Sequence, residues 1–436
     1  MRLSRYLKIY PEPSGPGRLL LYSTSRGSSV LMSTTMLRAL EEGTLPPADQ
    51  ETLVRLGMLV PDPDAEREAM RLAIDDANLR SSVSSAMVVL NLDCNLACSY
   101  CYEGGLKGRR YMTSATAGLL AEVLERDHVG RGMSINLAFY GGEPLMSTDL
   151  IGAISSRLRA STAEAGTDFS FTLVTNGTLL TRKTVDMLRP LGLKGAKITL
   201  DGPRENHDRF RPFISGKGSY DSIIGNLREV CDLIGISVGG NFTRDNYRQF
   251  PLLLDDLLRE GLTPERIASI QFAPVTKSRG DYPLPEFNDG CAATDEQWFM
   301  EATSFLREEI LKRGYRTRRM APAPCMIESS HDMVVNYDGT LFKCPAFLGR
   351  PEMAIGSLSE GIGDYADSHG LELWKTDECL DCAYLPLCFG GCRLLTLLRD
   401  DAIDAVDCRR AYLDATLEGF VRQDLMYQPK RSGRRH

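Results

Sequence analysis

The sequence predicts an α/β protein with a parallel sheet. Six short segments recur between residues 85 and 315, most of them rich in β-branched or aromatic residues and bounded by Gly, Asn, Asp or Pro. Longer segments with apolar residues at helical spacing lie between them. Strands that alternate with helices form parallel sheets with right-handed crossovers, either open or curled into a barrel. Chemistry in such folds takes place in the loops at the C-terminal ends of the strands.

The strands and helices of this region alternate without an internal repeat. The predicted strands are Ala86–Leu92, Ser134–Tyr140, Phe169–Thr175, Ala196–Leu200, Ile236–Phe242 and Ser269–Val275. The predicted helices between them are Thr113–Asp127, Leu150–Ala165, Thr181–Leu191, Ser219–Ile234 and Phe250–Glu260.

Residues 1–84 are predicted to form a domain of their own. Its expected elements are a hairpin, two helices and a closing strand, at Arg18–Thr24 with Ser29–Met32, Ser33–Glu42, Ala48–Leu56 and Gly57–Val60. Residues 316–425 contain the second cysteine group described below, and residues 426–436 form a basic tail that we expect to be solvated.

The composition excludes several classes of protein. The chain has 436 residues, of which 43% are hydrophobic and 25% charged, as in ordinary soluble proteins. Its formal charge of −7 and the lack of a long basic stripe argue against nucleic-acid binding. No apolar run approaches the roughly 18 residues of a membrane span. The N-terminus lacks the apolar segment of a signal peptide, so we expect a cytoplasmic protein.

Ten of the 12 cysteines fall into two groups, which in a reducing compartment indicates metal or redox chemistry. The other two, Cys231 and Cys291, are expected to be buried structural residues. The first group directly follows the first predicted strand with the spacing C-x3-C-x2-C, at Cys94, Cys98 and Cys101. A zinc site would need a fourth ligand close by, whereas three thiolates on a cubane cluster leave one iron open. The spacing favours an iron–sulfur cluster, with zinc as the alternative.

The sequence around this group resembles the radical S-adenosylmethionine (SAM) enzymes over residues 85–315. Tyr100 supplies the aromatic residue before the last cysteine. Further motifs occur in order after successive strands, namely Gly141-Gly142-Glu143-Pro144, Thr175-Asn176-Gly177-Thr178, Thr199-Leu200-Asp201-Gly202-Pro203, His207-Asp208-Arg209 and Gly216-Lys217-Gly218-Ser219-Tyr220. The resemblance implies a partial (β/α)6 barrel. It also implies a cluster whose open iron binds the amino and carboxylate groups of SAM, which is cleaved to a 5′-deoxyadenosyl radical.

The resemblance also implies which residues bind SAM. The backbone at Gly141 and Gly142 would contact the ammonium, with Glu143 assisting. Asn176, Thr199 and Asp201 are further candidates at strand ends. Simpler interpretations remain open, since Glu143 can serve as a charge at a helix N-terminus and Asp201 as a turn former. Arg209 and Arg211 are equally consistent with a solvated face and with binding a carboxylate.

The second cysteine group resembles the SPASM domain of peptide-modifying radical SAM enzymes. Its pattern is C-x13-G-x4-C, then C-x2-C-x5-C-x3-C, then one more cysteine. The resemblance implies two auxiliary [4Fe–4S] clusters, three clusters in all. One would be held by Cys379, Cys382, Cys388 and Cys408. Three irons of the other would be held by Cys325, Cys344 and Cys392.

The sequence does not decide which group is the fourth ligand of that incomplete cluster. Some relatives have a cysteine at the position of His331, which is here either a ligand or a surface residue that leaves the site open for solvent or a substrate sulfur. Distant Cys291 is another candidate. A zinc ribbon built from Cys379, Cys382, Cys388 and Cys392 is the alternative for the whole group, but it leaves Cys325, Cys344 and Cys408 without a role.

Residues 1–84 loosely resemble winged-helix-like domains of ribosomal-peptide maturases, some of which bind a precursor's leader as an added strand. A structural cap is the alternative. Together the motifs predict an oxidoreductase that crosslinks a precursor peptide through a thioether or carbon–carbon bond, with flavodoxin or ferredoxin as electron donor. The stretch Cys101–Gly105 looks most like the geopeptide-type maturases. The alternatives are a sulfatase-type maturase that makes formylglycine and a non-catalytic iron–sulfur electron carrier.

Overall fold

A computed structural model of the chain describes residues 1–13, 15–101, 103–277, 284, 287–288, 290–291 and 293–427. It divides into two compact units, each assembled from separate stretches of chain. The first unit contains Met1–Arg80, Arg319–Ser329 and the chain from Gly370 onward, and the second contains Ser81–Arg318 and Ser330–His369. The predicted C-terminal domain, residues 316–425, is thus shared between the two units. Most of the predicted basic tail lies outside the described residues.

The N-terminal part of the first unit contains two small sheets and four helices. Its strands are β1 (Arg2–Leu3), β2 (Leu7–Pro11), β3 (Arg18–Ser23), β4 (Ser28–Ser33) and β5 (Leu59–Val60). Its helices are α1 (Thr34–Glu41), α2 (Pro47–Arg55), α3 (Pro63–Arg71) and α4 (Ala73–Arg80). The predicted hairpin is formed by β3 and β4, and β2 joins it to make an antiparallel sheet in the order β2–β3–β4. The predicted closing strand, β5, instead pairs with β1.

Alternation along β3 gives this sheet two buried faces. Leu21 packs with Leu53 and Met58 in one apolar cluster. Its neighbours Leu20 and Tyr22 point to the opposite face, where they pack in a second cluster formed with C-terminal residues of the same unit. The hairpin is therefore anchored on both faces.

The second unit is built on the predicted parallel strands. They are β6 (Val83–Asn91), β7 (Ser134–Gly141), β8 (Phe169–Thr175), β9 (Leu193–Thr199), β10 (Gly235–Phe242) and β11 (Ser269–Pro274). The helices are α5 (Ser114–Asp127), α6 (Thr148–Ala165), α7 (Arg182–Leu188), α8 (Arg204–Phe210), α9 (Tyr220–Val230), α10 (Phe250–Arg259) and α11 (Gln297–Lys312). All six strands pair in parallel in chain order. The six predicted strands are confirmed, with differences of up to three residues at their ends.

Four short strands extend the sheet beyond β6. They are β12 (Asp332–Val335), β13 (Thr340–Phe342), β14 (Gly356–Ser357) and β15 (Gly361–Ile362). β12 pairs in parallel with β6, and the next three pair antiparallel in succession. This addition explains why residues 330–369 belong to the second unit. The central sheet is mostly parallel, so the predicted α/β fold is confirmed.

Four helices complete the first unit: α12 (Asp377–Leu380), α13 (Leu385–Cys388), α14 (Arg393–Asp400) and α15 (Arg410–Tyr427). The first three are short and alternate with the cysteines of the second group. Among the described residues, no helix combines the length and the apolar character that a membrane crossing requires.

Candidate functional site

The first cysteine group lies on a loop that begins just after β6. This loop runs antiparallel to the segment after α8, with the Ala97 N–H donating to the Pro212 carbonyl at 2.8 Å and the Ser99 N–H to the Phe210 carbonyl at 3.0 Å. The Lys107 ammonium donates to the Leu96 carbonyl at 3.1 Å and fastens the middle of the loop. The three cysteines are thereby held at the C-terminal end of the first parallel strand.

The donor set of this loop fits an iron–sulfur cluster. The pKa values of the Cys94 and Cys101 thiols are both raised, that of Cys101 to about 11. Burial is the main cause, and the nearby Cys98 contributes to both shifts. The Leu96 amide lies 3.4 Å from the Cys94 sulfur, as in the N–H···S contacts that tune cluster thiolates. No three His, Cys, Asp or Glu side chains among the described residues converge on one metal-ion position. A cubane distributes its ligands over separate irons, so its thiols need not converge in that way.

The glycines after β7 pack against the entry to the cysteine loop. Gly142 donates its N–H to the Asn91 carbonyl at 3.0 Å, and Glu143 donates to the Asp93 carbonyl at 2.8 Å. A Cβ at Gly141 would lie 2.2 Å from the Asn91 oxygen, and one at Gly142 would lie 2.1 Å from the Asp93 oxygen. Only glycine allows this approach, which fixes the two loops relative to each other.

The Glu143 carboxylate is fully buried and links the ends of β7 and β8. Its Oε1 accepts from the Leu145 N–H at 3.0 Å and the Thr175 hydroxyl at 2.7 Å, and its Oε2 accepts from the Asn176 N–H at 2.8 Å. Burial raises the pKa of Glu143, while these hydrogen bonds favour the charged form. The observed contacts of Glu143 are structural and cap the turn that starts at Pro144.

Asn176 lies beside the cluster loop, as expected from its position at the end of β8. Its Nδ2 is 2.8 Å from the Asn95 Oδ1 and 3.7 Å from the Cys94 sulfur. Thr199 ends β9 and is partly exposed. Both residues lie at the C-terminal ends of the parallel strands, where the cysteine loop also lies.

Asp201 is the centre of a buried polar network that the sequence did not predict. The Tyr100 hydroxyl donates to Asp201 Oδ2, and the Asn241 N–H donates to Oδ1 at 2.7 Å. Arg211 donates from Nη1 to the Tyr100 oxygen at 2.9 Å and lies 3.9 Å from Asp201. Burial raises the pKa of Asp201, and the Arg211 cation opposes that shift. The Nε of Arg211 is buried without a hydrogen-bond partner in the part of the chain that the structure describes.

Residues that follow β9 support this network through further buried hydrogen bonds. The Asp201 N–H donates to Nδ1 of the buried His207 at 3.2 Å, and the His207 Nε2 lies 3.0 Å from the Ser219 hydroxyl. Ser219 in turn donates to the Arg211 carbonyl at 2.6 Å. Arg209, which lies two residues before Arg211 in the chain, is exposed. The structure thus separates the two arginines that the sequence left equivalent.

One more buried acid lies next to the cysteine loop. Glu103 is 4% exposed, and its Oε1 has no hydrogen-bond partner among the described residues. Burial raises its pKa to about 7, against the opposing effect of the Lys107 charge. Its only sequence signal is its place two residues after Cys101.

In the first unit, four cysteines of the second group surround one cavity of about 350 Å³. They are the residues expected to hold a complete auxiliary cluster: Cys379, Cys382, Cys388 and Cys408. The pKa of Cys388 is raised to about 11, mainly by burial and in smaller part by the nearby Cys382 and Cys379. The donor set and the cavity fit a four-thiolate cluster.

The loop between Cys388 and Cys392 is held by a buried carboxylate. Asp407 accepts from the Cys392 N–H at 3.0 Å, and a Cβ at Gly391 would lie 2.0 Å from the Asp407 carbonyl oxygen. Gly391 also has a φ of +76°, which favours glycine. Asp407 therefore positions Cys392, a predicted ligand of the incomplete auxiliary cluster, although the sequence did not single it out.

The remaining predicted ligands are divided between the two units. Cys325 and Cys392 are in the first unit, where burial and then the nearby Cys392 raise the pKa of Cys325, and Cys344 is in the second. His331 is also in the second unit, with its ring 6.5 Å from that of His128. Cys291 is buried there, and its thiol lies 3.3 Å from the Ala293 carbonyl.

Comparison with known families agrees with this site. Residues 88–256 match the Radical SAM superfamily. That part of the chain is a radical SAM domain. Such a domain uses SAM and a [4Fe–4S] cluster.

One known protein is similar to a large part of this chain. Fe-coproporphyrin III synthase of Methanosarcina barkeri (strain Fusaro / DSM 804) is 32% identical over 277 residues, which cover 61% of this chain and 62% of that protein. The chain thus matches less than two thirds of that relative's length.

Two solved structures share the fold. Native anSMEcpe with bound AdoMet and Kp18Cys peptide aligns with a TM-score of 0.62 at 17% identity, covering 80% of this chain and 100% of that one. Streptococcus suis SuiB bound to precursor peptide SuiA aligns with a TM-score of 0.51 at 15% identity, covering 93% and 98%. At these identities the likeness concerns the fold.

Proposed function

We propose that this protein is a radical SAM enzyme that oxidatively modifies a ribosomally synthesised peptide and forms a thioether or carbon–carbon crosslink. The proposal rests mainly on the cavity lined by Cys379, Cys382, Cys388 and Cys408, because a cluster bound there would be a redox site beyond the one needed to cleave SAM. The two similar structures named above both contain a bound peptide.

Different residues of the second unit would bind the cluster, the ammonium group of SAM and its carboxylate. Cys94, Cys98 and Cys101 would hold the cluster, and the backbone around Gly142 would face the ammonium. Arg211 would bind the carboxylate, since it is buried, is held by Tyr100 and has a free Nε–H. When bound, the cluster and SAM supply a 5′-deoxyadenosyl radical for hydrogen abstraction.

The auxiliary sites would accept the electron that an oxidative crosslink releases. The cavity cysteines would hold one complete [4Fe–4S] cluster. Cys325, Cys344 and Cys392 would hold three irons of another, with His331, Cys291, a substrate sulfur or solvent at the fourth. Three clusters per chain follow, reduced by a flavodoxin or ferredoxin.

The N-terminal domain would bind the leader of the precursor. β4 is an edge strand of the sheet β2–β3–β4, and Leu31 on it is 50% exposed. An extended peptide can add to such an edge through main-chain hydrogen bonds, with side-chain pockets giving specificity.

The test compares two cysteine variants with the wild type under anaerobic conditions, using SAM, a reductant and a peptide encoded beside this gene. Cys98→Ala is expected to abolish 5′-deoxyadenosine formation. Cys382→Ala is expected to leave uncoupled SAM cleavage and to abolish the peptide product. Full peptide turnover by the Cys382 variant would refute the role of the auxiliary site.

Two controls separate the alternatives. An aldehyde-reactive probe detects formylglycine and would indicate a sulfatase-type maturase instead. Wild-type protein that contains its clusters but forms no 5′-deoxyadenosine would be an electron carrier.

A further inference from the structure

A buried ion pair joins two cysteine-bearing segments of the first unit. Arg393 directly follows Cys392 at the start of α14. Glu328 closes a short 3₁₀ turn that begins at Cys325, and its N–H donates to the Cys325 carbonyl at 3.0 Å. Arg393 is 2% exposed and Glu328 7%. The pair therefore joins the two segments that carry predicted ligands of the incomplete auxiliary cluster.

The guanidinium of Arg393 is held through both of its terminal nitrogens. Nη2 donates to Glu328 Oε1 and to the Gly370 carbonyl at 3.3 Å, and Nη1 donates to the Phe389 and Gly391 carbonyls at 3.0 and 3.2 Å. Trp374 donates from its indole to the same Glu328 oxygen at 3.1 Å. Nε is buried and has no hydrogen-bond partner in the described part of the chain. One N–H of a fixed cation thus remains available.

Both charges of this pair are removed from solvent. Burying two charges is costly, and an apolar pair would join the same segments without that desolvation penalty. The retained charge therefore calls for a role beyond holding the segments together.

We propose that Arg393 is a redox-tuning residue for the auxiliary cluster that Cys325 and Cys392 would hold. This inference rests on the proposed function, because it requires that cluster. Reduction adds one electron and takes the cluster from its 2+ to its 1+ state, with no bond made or broken. A fixed positive charge and an N–H donor favour the more negative state, so they raise the midpoint potential. Arg393 thereby makes this cluster a better electron acceptor.

The test is a redox titration followed by electron paramagnetic resonance. The full chain is used with Cys94, Cys98 and Cys101 replaced by alanine, so that only auxiliary clusters contribute. The signal that disappears with Cys325→Ala identifies the relevant cluster. Its midpoint potential is then measured in Arg393→Gln, Arg393→Lys and Glu328→Gln variants, with Arg80→Gln at the exposed end of α4 in the same unit as the control.

The variants are expected to shift the potential in opposite directions. Arg393→Gln should lower the reduced-to-oxidised ratio at fixed potential about tenfold, equivalent to about 59 mV for a one-electron couple. Glu328→Gln should raise the potential, because it keeps the size and the acceptor oxygen while removing the negative charge. Arg393→Lys should restore most of the wild-type value. Arg80→Gln should have no effect, since solvent screens that charge.

The outcomes distinguish this inference from the proposed function. A Cys325-dependent cluster whose potential is unchanged by both Arg393→Gln and Glu328→Gln overturns the tuning role. The lack of any Cys325-dependent signal overturns the three-cluster assignment itself. Glu328→Gln keeps the hydrogen-bonding geometry, so it still decides the tuning role if Arg393→Gln fails to fold.

Discussion

Replacing Gly142 with alanine tests whether close packing between two loops creates the SAM-cleaving site. The added Cβ would lie 2.1 Å from the Asp93 oxygen and 2.6 Å from its carbonyl carbon, whereas ordinary contact begins at 3.4 Å. The cysteine loop must therefore move by about 1.3 Å, next to Cys94. A displacement of about 1 Å near reacting groups can reduce rates roughly 100-fold. We expect Gly142→Ala to lose at least that much SAM cleavage.

The matched control is Gly152→Ala in α6, where an added Cβ meets nothing within 4 Å. Alanine at a helix position stabilises by about 0.5–1 kcal/mol relative to glycine, so this variant should keep its activity and melt slightly higher. The assays are iron content per chain, 5′-deoxyadenosine formation and thermal unfolding. If Gly142→Ala behaves like Gly152→Ala in all three, the cysteine loop is not positioned by this contact.

Three further predictions test other parts of the account. Arg211→Gln should weaken SAM binding by about 1.5–3 kcal/mol in calorimetry, because hydrogen bonds to charged groups contribute that much. Replacing the exposed Arg209 with glutamine should not weaken binding. Equal effects of the two variants would contradict the role of Arg211 in binding the carboxylate. Tyr100→Phe should cost about 1–3 kcal/mol in unfolding free energy, because Asp201 loses a buried donor; unchanged stability would exclude that network. Cys388→Ala should lose about four irons per chain and Cys231→Ala none; equal iron contents would refute the cavity as a cluster site.

The parallel strands were predictable because each is a local run of β-branched or aromatic residues between turn formers. Their first residues were harder to place, since Leu193–Gly195 joins β9 through pairing with its neighbours rather than through its own propensity. β12 to β15 were missed for the same reason. They are two to four residues long and depend on distant partners, as with β12 on β6.

The same difference between local patterns and contacts with distant segments applies to the candidate site. Cysteine spacing and glycine motifs are local patterns, so the three-cysteine loop and the four cysteines around the cavity were both predictable. The assignment of Arg211 to the buried site and Arg209 to solvent was not, because it depends on how the chain leaves α8. Asp407 gave no signal either, since it acts on Cys392 across a loop of 15 positions.

The most direct test of the central claim is the intact mass of the adjacent-encoded peptide after anaerobic incubation with cluster-loaded enzyme, SAM and reductant. The account predicts loss of two hydrogens per crosslink, together with 5′-deoxyadenosine whose formation increases when peptide is present. A peptide of unchanged mass, with 5′-deoxyadenosine formed at the same rate with and without it, would contradict the account.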